Sequence, residues 1–390
     1  MSALHRFVAL YALMYAAFGV SSPFMPAFFQ GRGLAPGQVG ILFAAGTAIR
    51  LVSGPLVGRL ADLTQALRAV LAVCELLAAF VALGLMSAPS FTPLLLTSLL
   101  HAAALAPTTA LADALALSAA QPRDARPQFE YGWVRGTGSA VFVIGTLLSG
   151  QVVDSWGLAS IIVLQAALLG AAAGAATLIP KPGRQEHVAA AEPTAPAGVV
   201  ALLRVPRFRR VMLVSGLVLG SHAMHDTFAV IRWSAAGVTP AMASVLWSES
   251  VAAEVVMFFL IGPPLLTCLR PAGVLAVAAA AGVVRWAAMA SSTSVMVLAV
   301  VQPLHGLTFA ALHLACMRLI PAIVPQRLAA TAQAMYAFGA GATTALMTLA
   351  SGWLYAAFGA QGFLVMALLC ATVLPLTWGL RAVYSEEPHR

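Results

Sequence analysis

Charged residues are scarce in this sequence: only 9% of its 390 residues are Asp, Glu, Lys or Arg, whereas 61% are hydrophobic. Soluble domains carry about 25% charged and about 45–50% apolar residues, so a water-soluble fold of this chain would expose apolar surface that it could not bury. The mean hydropathy of +0.92 instead indicates a chain that lies in a lipid bilayer.

Cysteine is also scarce, and the four cysteines occur singly in apolar or membrane-edge segments. This pattern favours neither a disulfide framework nor a cysteine metal site. No Walker motif is present, which disfavours an ATP-driven pump. The net charge of +8 comes from basic residues in short connections between apolar runs, which membrane topology explains better than nucleic-acid binding does. We therefore expect no cofactor, no resident metal and no nucleic-acid partner.

Apolar runs of about 20 residues, the length that crosses a bilayer, recur along the chain. About twelve are predicted, and a connection rich in Pro and Gly at 181–204 divides them six and six. This predicts an N-terminal bundle (1–180), a cytoplasmic linker (181–204) and a C-terminal bundle (205–390). The predicted fold class is an all-α membrane protein with twelve transmembrane helices in two six-helix bundles.

Arginine and lysine are distributed unevenly between the connections. They fall on alternate connections, and Arg32 is the only clear basic residue on the opposite side. The positive-inside rule then predicts a multi-pass protein of the inner (plasma) membrane with both termini in the cytoplasm.

The stretch 221–259 concentrates ionisable residues within apolar sequence. An ionisable group at the bilayer centre costs at least ~2.5–3.5 kcal/mol, so such a group usually faces a cavity or a partner. His222, His225 and Asp226 have i, i+3, i+4 spacing and share one helix face. That face suits proton exchange or substrate orientation. A satisfied polar cluster and a metal site are the alternatives.

Three more ionisable residues fall at similar depth on successive predicted helices: Glu254, Arg285 and His305. They predict a proton-coupled anion site in which Glu254 carries the proton and Arg285 holds a carboxylate or balances Glu254. His313 follows His305 by eight residues, which places them about 80° apart on a helix, so both fit the lining of one cavity. Trp286 is a candidate for its wall.

The N-terminal half has its own intramembrane charges. Arg50 lies midway along the second predicted helix, Asp113 toward the inner end of the fourth, and Arg135 in the fifth. We expect Asp113 to pair with Arg135 or Arg50 across helices, and for Arg135 a purely structural ion pair is the alternative. Glu75, in the third predicted helix, has no evident partner.

The connection between the second and third predicted helices reads GRLADLTQALR, from Gly58 to Arg68. It resembles the loop signature of the major facilitator superfamily, in which a Gly permits close helix approach and an Asp caps or pairs across the cytoplasmic gate. Gly58, Asp62 and Arg68 fit that pattern, whereas Leu63 and Gln65 depart from it. The resemblance implies a gating role, and an ordinary charged turn is the alternative.

Longer segments resemble the phenylpropionate permease group of that superfamily. They include YGWVRGTGSAVFVIG from Tyr131, SHA around His222, GVVRW around Arg285, and LHGLTFAALHLACMR from Leu304. The resemblance covers nearly the full length and implies twelve helices in two bundles and proton-coupled substrate entry, as in lactose permease and nucleoside proton symporters.

This resemblance also implies roles for single residues. Matching motif positions are held by Arg50, Asp113, Arg135, His222, Glu254, Arg285, His305 and His313. We expect Glu254, His305 and Asp113 to serve proton coupling and the others to serve substrate binding. His225 and Asp226 look particular to this chain and are candidates for substrate specificity.

The sequence thus predicts a secondary active transporter, not an enzyme, that works by alternating access. We expect proton symport of a small organic acid, with aromatic acids among the candidates. The expected partners are the substrate, protons and the bilayer, and we expect a monomer. A proton-antiport exporter of a drug-like or signalling molecule is the alternative on the same fold. A metal-binding sensor or membrane enzyme built on His222, His225 and Asp226 is a third hypothesis.

Overall fold

The computed structural model describes residues 2–120, 129–180 and 196–381. Within these residues the chain forms seventeen α-helices, joined by turns and by short 3-10 and π-helical segments, and no strand. The predicted all-α class is therefore confirmed.

The helices follow one another with short connections. The first eight are α1 (Ala3–Ser21), α2 (Met25–Gly31), α3 (Pro36–Thr64), α4 (Leu67–Ser87), α5 (Phe91–Leu105), α6 (Thr108–Ala120), α7 (Tyr131–Trp156) and α8 (Ser160–Leu178). The others are α9 (Pro196–Leu203), α10 (Pro206–Gly220), α11 (Ala223–Ala235), α12 (Pro240–Val256), α13 (Gly262–Ser291), α14 (Val295–Val301), α15 (Leu312–Ile323), α16 (Ala329–Phe358) and α17 (Gly362–Trp378). The π-helical segments are Met257–Ile261 and Gly306–Ala311, and the 3-10 turns are Gln302–Leu304, Gln326–Leu328 and Gly359–Gln361.

Nine helical stretches of the described chain are long and apolar enough to cross a membrane. Two of them, Pro240–Ser291 with 52 residues and Gln326–Trp378 with 53, are long enough to cross twice. The first bends at Arg270, whose φ of 56° and ψ of 161° are not helical, and a 3-10 turn interrupts the second. The membrane fold is confirmed, while the count of twelve crossings stays a prediction.

The chain forms two compact units. Unit 1 comprises Met1–Val188 and Gly237–Ser248, and unit 2 comprises Ala189–Ala236 and Glu249–Arg390. The predicted bundles 1–180 and 205–390 stay a prediction. Residues 181–195 of the predicted linker lie outside the described residues.

In unit 1, α1 packs closely against α7 and α8. A methyl group at Gly19 would overlap the carbonyl of Phe142, and one at Gly145 would lie 2.8 Å from the carbonyl oxygen of Ala16. Small residues allow the backbones of membrane helices to approach in this way. The α1–α7 crossing therefore depends on glycine on both helices.

In unit 2, α13 packs against α15 and α17, and α10 packs against α16 and α17. Valine, leucine and alanine side chains fill this core. Ionisable residues of unit 2 come from different helices: Asp226 from α11, Glu254 from α12, and Arg285 from α13. Helix packing therefore brings together residues that are distant in sequence.

Candidate functional site

Arg285 is a fully buried cation, with 0% of its surface exposed. Its Nη1 lies 2.9 Å from Nδ1 of His305, and its Nη2 donates to Oε1 of Gln302 at 2.7 Å. The guanidinium also lies 4.6 Å from the centre of the Trp286 ring, a cation–π contact. Among the described residues it forms no direct ion pair with a carboxylate, so neutral groups hold this charge.

One arm leads from Arg285 through His305 to Glu254. His305 Nε2 lies 2.6 Å from Oε1 of Glu254. Because a guanidinium only donates hydrogen bonds, Nδ1 of His305 must accept, and the ring hydrogen is then on Nε2. A neutral imidazole therefore donates to the Glu254 carboxylate. The structure brings together the three residues that the sequence placed at one depth.

A second arm leads from Arg285 through Gln302 and His225 to Asp226. Arg285 and Ser250 both donate to Gln302 Oε1, at 2.7 and 3.1 Å, which assigns the amide oxygen. The amide nitrogen then donates to His225 Nε2 at 3.2 Å, and His225 Nδ1 donates to Asp226 Oδ1 at 3.0 Å. His225 is thus neutral as well. We call Arg285, His305, Glu254, Gln302, His225 and Asp226 the Arg285 cluster.

The two carboxylates of the Arg285 cluster differ in exposure. The side chain of Asp226 is 53% exposed and that of Glu254 is 21% exposed. Sequence reasoning missed Gln302, which links the two arms. An uncharged amide three residues before His305 in an apolar run was the available signal.

His222 and Trp286 pack behind the cluster. His222 Nδ1 lies 3.0 Å from the carbonyl of Val218, and its Nε2 lies 2.9 Å from the Thr308 hydroxyl. The indole of Trp286 donates to Ser221 at 2.9 Å. His222 is 5% exposed and Trp286 is 0% exposed, so both have satisfied polar atoms inside unit 2, and their predicted substrate roles stay predictions.

The backbone is irregular on both sides of the Glu254–His305 hydrogen bond. His305 lies between the 3-10 turn Gln302–Leu304 and the π-helical segment Gly306–Ala311. A second π-helical segment begins three residues after Glu254, at Met257. Prolines at 303 and 263 lack the amide hydrogen that a regular helix uses, which explains part of this irregularity. π-helical turns are rare and are frequent at functional sites.

Gly306 sets the distance between these two segments. A methyl group at this position would lie 2.7 Å from the carbonyl oxygen of Ala253, the residue before Glu254. Only glycine allows this approach, which holds the Glu254 carboxylate within hydrogen-bond distance of His305.

His313 lies apart from the cluster. Its Nδ1 is 3.3 Å from the hydroxyl of Tyr336, and its ring lies 6.2 Å from that of Phe258. In the described part of the chain it makes no hydrogen bond to the Arg285 cluster. A shared cavity for His305 and His313 stays a prediction.

In unit 1, Asp113 pairs with tyrosines and not with arginine. Its Oδ1 accepts hydrogen bonds from the hydroxyl of Tyr11 and, at 2.8 Å, from that of Tyr131. Arg135 instead donates to the hydroxyl of Tyr15 and lies 4.9 Å from the centre of its ring. The expected Asp113–Arg135 pair is therefore wrong, because neutral hydroxyls already satisfy the carboxylate.

Arg50 lines a cavity of about 420 Å³ inside unit 1. Among the described residues its guanidinium has no hydrogen-bond or ion-pair partner, so the expected Asp113–Arg50 pair is also wrong. His101 shares this cavity, and its Nδ1 lies 3.0 Å from the carbonyl of Ala78. Besides aliphatic side chains, the lining includes polar residues (Ser21, Ser22, Thr47, Ser98, Thr109 and Gln165) and aromatic residues (Phe18, Phe29, Phe43 and Phe142). Apart from Arg50, sequence reasoning missed this cavity, although His101 and Gln165 in apolar helices were a signal.

The predicted gating residues lie where α3 ends and α4 begins. Asp62 is exposed, and Arg68 donates to the carbonyl of Ile179 at 2.9 Å. A methyl group at Gly58 would meet no atom within 4 Å. The expected close helix approach at Gly58 is therefore wrong for this conformation, and the gating role of all three stays a prediction.

No metal centre is evident in residues 2–120, 129–180 and 196–381. No group of three or more His, Cys, Asp or Glu side chains there could hold a metal ion. His225 and Asp226 bond to each other instead. The metal-site hypothesis for this helix face therefore has no support from the described residues.

Comparison with known proteins places the chain in a family. The model of the MFS_1 like family matches residues 4–366. A probable 3-phenylpropionic acid transporter of Escherichia coli (strain K12) is 32% identical over 368 residues, which are 93% of this chain and 94% of that protein. The uncharacterized transporter YwbF of Bacillus subtilis (strain 168) is 23% identical over 324 residues, which are 83% of this chain and 79% of that protein.

Solved structures show the same fold at low identity. The nucleoside transporter NupG superposes with a TM-score of 0.84 at 16% identity, over 99% of this chain and 100% of its own. A bacterial homolog of the human lysosomal transporter Spinster, in an inward-facing conformation, has a TM-score of 0.74 at 15% identity. The match covers 100% of this chain and 98% of that chain. The chain therefore belongs to the MFS_1 like family and is a multi-pass membrane transporter of the major facilitator superfamily, not an enzyme.

Proposed function

We propose that this transporter takes up a small organic acid by symport with protons. It works as a monomer by alternating access in the inner membrane, with both termini in the cytoplasm. The observation that carries this proposal is the hydrogen-bonded chain from Arg285 through His305 to Glu254, at 2.9 and 2.6 Å.

Glu254 carries the coupled proton in this proposal. Its carboxylate is 21% exposed, so a proton can reach it, yet it also compensates the buried charge of Arg285. A proton on the carboxyl removes that compensation and weakens the charge-assisted bond from His305. His305 borders 3-10 and π-helical segments, whose hydrogen bonds are less regular than those of an α-helix. We expect this part of unit 2 to shift when Glu254 is protonated.

The cavity of unit 1 supports an aromatic acid as the substrate. Its volume of about 420 Å³ falls in the range of small-molecule sites, about 300–1,000 Å³. Arg50 offers a guanidinium without a described partner, and guanidinium groups bind carboxylates bidentately. Phenyl side chains supply apolar walls. The name of the Escherichia coli relative, a probable 3-phenylpropionic acid transporter, agrees with this chemistry.

Reconstitution in liposomes tests both coupling and substrate. We expect an acid-outside pH gradient to accelerate the initial uptake of 3-phenylpropionate above the rate in protein-free liposomes, and a protonophore to remove this acceleration. Protein-free liposomes are essential because the neutral acid crosses lipid unaided. Faster uptake with an acidic lumen would identify the antiport alternative, and rates insensitive to either gradient would refute proton coupling.

A further inference from the structure

Asp226 ends the second arm of the Arg285 cluster in the same way that Glu254 ends the first. In each arm a neutral imidazole donates to a carboxylate, His305 to Glu254 at 2.6 Å and His225 to Asp226 at 3.0 Å. A hydrogen-bond donor fixes the tautomer of each imidazole. Arg285 itself donates to His305, and Gln302, whose amide Arg285 orients, donates to His225. The proposed symport uses the first arm alone.

The charges of the cluster do not balance when both carboxyls are ionised. One arginine and two carboxylates leave one negative charge in excess, since both histidines are neutral. Other titratable groups packed nearby add no positive charge. The ring of His222 lies 5.0 Å from that of His305. Its Nδ1 donates to the carbonyl of Val218, and its Nε2, 2.9 Å from the Thr308 hydroxyl, accepts from that hydroxyl, so this ring is neutral. The Cys370 thiol donates to Ser221. A charge inside a membrane protein is costly unless it is compensated.

We propose that Asp226 and Glu254 form one proton-binding pair, in which Arg285 compensates one carboxylate and the coupled proton occupies the other carboxyl. This inference rests on the proposed proton symport. Arginine and glutamine do not pass protons along a hydrogen-bonded chain, so the two carboxyls interact through charge. Asp226 has the more exposed side chain of the two, at 53% against 21%, so we expect it to be the first of the pair to gain or lose the coupled proton.

Amide substitutions test the pair, because Asp226→Asn and Glu254→Gln keep the shape of each side chain and remove its proton site. We expect both variants to exchange labelled for unlabelled substrate at a measurable rate, which shows that they are folded. In both, an acid-outside gradient should no longer accelerate uptake, so that the ratio of rates with and without the gradient falls to one. Glu249→Gln is the matched control, since Glu249 has no hydrogen bond in the described structure, and it should keep the wild-type ratio.

The outcomes separate this inference from the proposed function. If the wild-type protein itself shows no acceleration, proton symport is wrong. A second outcome is that the gradient accelerates uptake by the wild type and by Asp226→Asn equally, but not by Glu254→Gln. The pair is then wrong, and Glu254 acts alone. Should Asp226→Asn fail to fold, Asp226→Ala takes its place: the pair requires that the gradient no longer accelerate its uptake while exchange continues, and acceleration at the wild-type ratio contradicts the pair.

Thermal stability gives a readout that does not depend on transport. Each single variant leaves Arg285 with one carboxylate, whereas the double variant Asp226→Asn/Glu254→Gln leaves it with none. We expect the double variant to lower the melting temperature by much more than the two single variants do together. Adding Arg285→Gln to the double variant should raise the melting temperature again. Additive effects without rescue would overturn the shared compensation.

Discussion

Gly306→Ala is the most direct perturbation of the geometry that holds Glu254 beside His305. The added methyl would lie 2.7 Å from the carbonyl oxygen of Ala253 and 3.1 Å from its carbonyl carbon. Carbon and oxygen atoms in contact are normally separated by more than 3 Å, so the two segments must move apart by about half an ångström. A Glu254–His305 bond of 2.6 Å then approaches the outer limit of a hydrogen bond.

The expected magnitude combines two effects. Overpacking in a filled core costs about 1–3 kcal/mol, and a hydrogen bond to a charged group contributes about 1.5–3 kcal/mol. Because the hydrogen bond is lengthened and not lost, only part of its contribution adds to the overpacking cost. We therefore expect Gly306→Ala to lower the stability by about 2–4 kcal/mol and to reduce gradient-driven uptake more than exchange. Thermal unfolding in detergent and uptake into liposomes measure these effects.

Gly174→Ala is the matched control for this experiment. Gly174 lies in α8, and a methyl group there would meet no atom within 4 Å. Alanine favours helix over glycine by about 1 kcal/mol, so this variant should be as stable as the wild type or more so. If Gly306→Ala behaves like Gly174→Ala in both assays, close packing at Gly306 does not hold the proton site.

Substitutions at three further places in unit 1 test a buried carboxyl, the proposed substrate site and the hydrogen bonds of Asp113. Glu75 is 0% exposed, and both its carboxyl oxygens lack hydrogen-bond partners in the described residues. Glu75→Leu should therefore raise the stability by about 1–3 kcal/mol in thermal unfolding. A lower melting temperature would contradict this. Arg50→Gln should raise the KM for 3-phenylpropionate about 10–100-fold, more than Arg50→Lys does; an unchanged KM excludes Arg50 as the carboxylate site. Tyr131→Phe should lower the stability by about 1 kcal/mol. The double variant with Tyr11→Phe should lose more stability than the two single variants together, because Asp113 then loses both donors. Additive losses of stability would contradict this.

The membrane fold and the centre of the site follow from simple features of the sequence. Apolar runs fixed the fold class, because a chain with 9% charged residues has few ways to hide its apolar surface. Glu254, Arg285 and His305 stood out because a charge inside an apolar helix is costly, and counting residues along each helix gave their similar depth.

Other parts of the site were not predictable from the sequence. Tyr11 and Tyr131 are uncharged and aromatic, so nothing in the sequence distinguishes a hydrogen-bond partner of Asp113 from ordinary helix packing. Pairing Asp113 with arginine was wrong for this reason: charge was visible in the sequence and hydroxyls were not. The π-helical segments beside Glu254 and His305 also depend on tertiary contacts, of which the prolines at 263 and 303 are only a partial sign.

The central claim is that Glu254 carries the coupled proton, and a pH electrode tests it directly. When 3-phenylpropionate is added outside weakly buffered liposomes that contain the protein, symport removes protons from the outer solution. We predict that the wild type makes the outer solution alkaline faster than protein-free liposomes do, and that Glu254→Gln matches protein-free liposomes while it still exchanges labelled substrate. Alkalinisation by Glu254→Gln at the wild-type rate would contradict the claim.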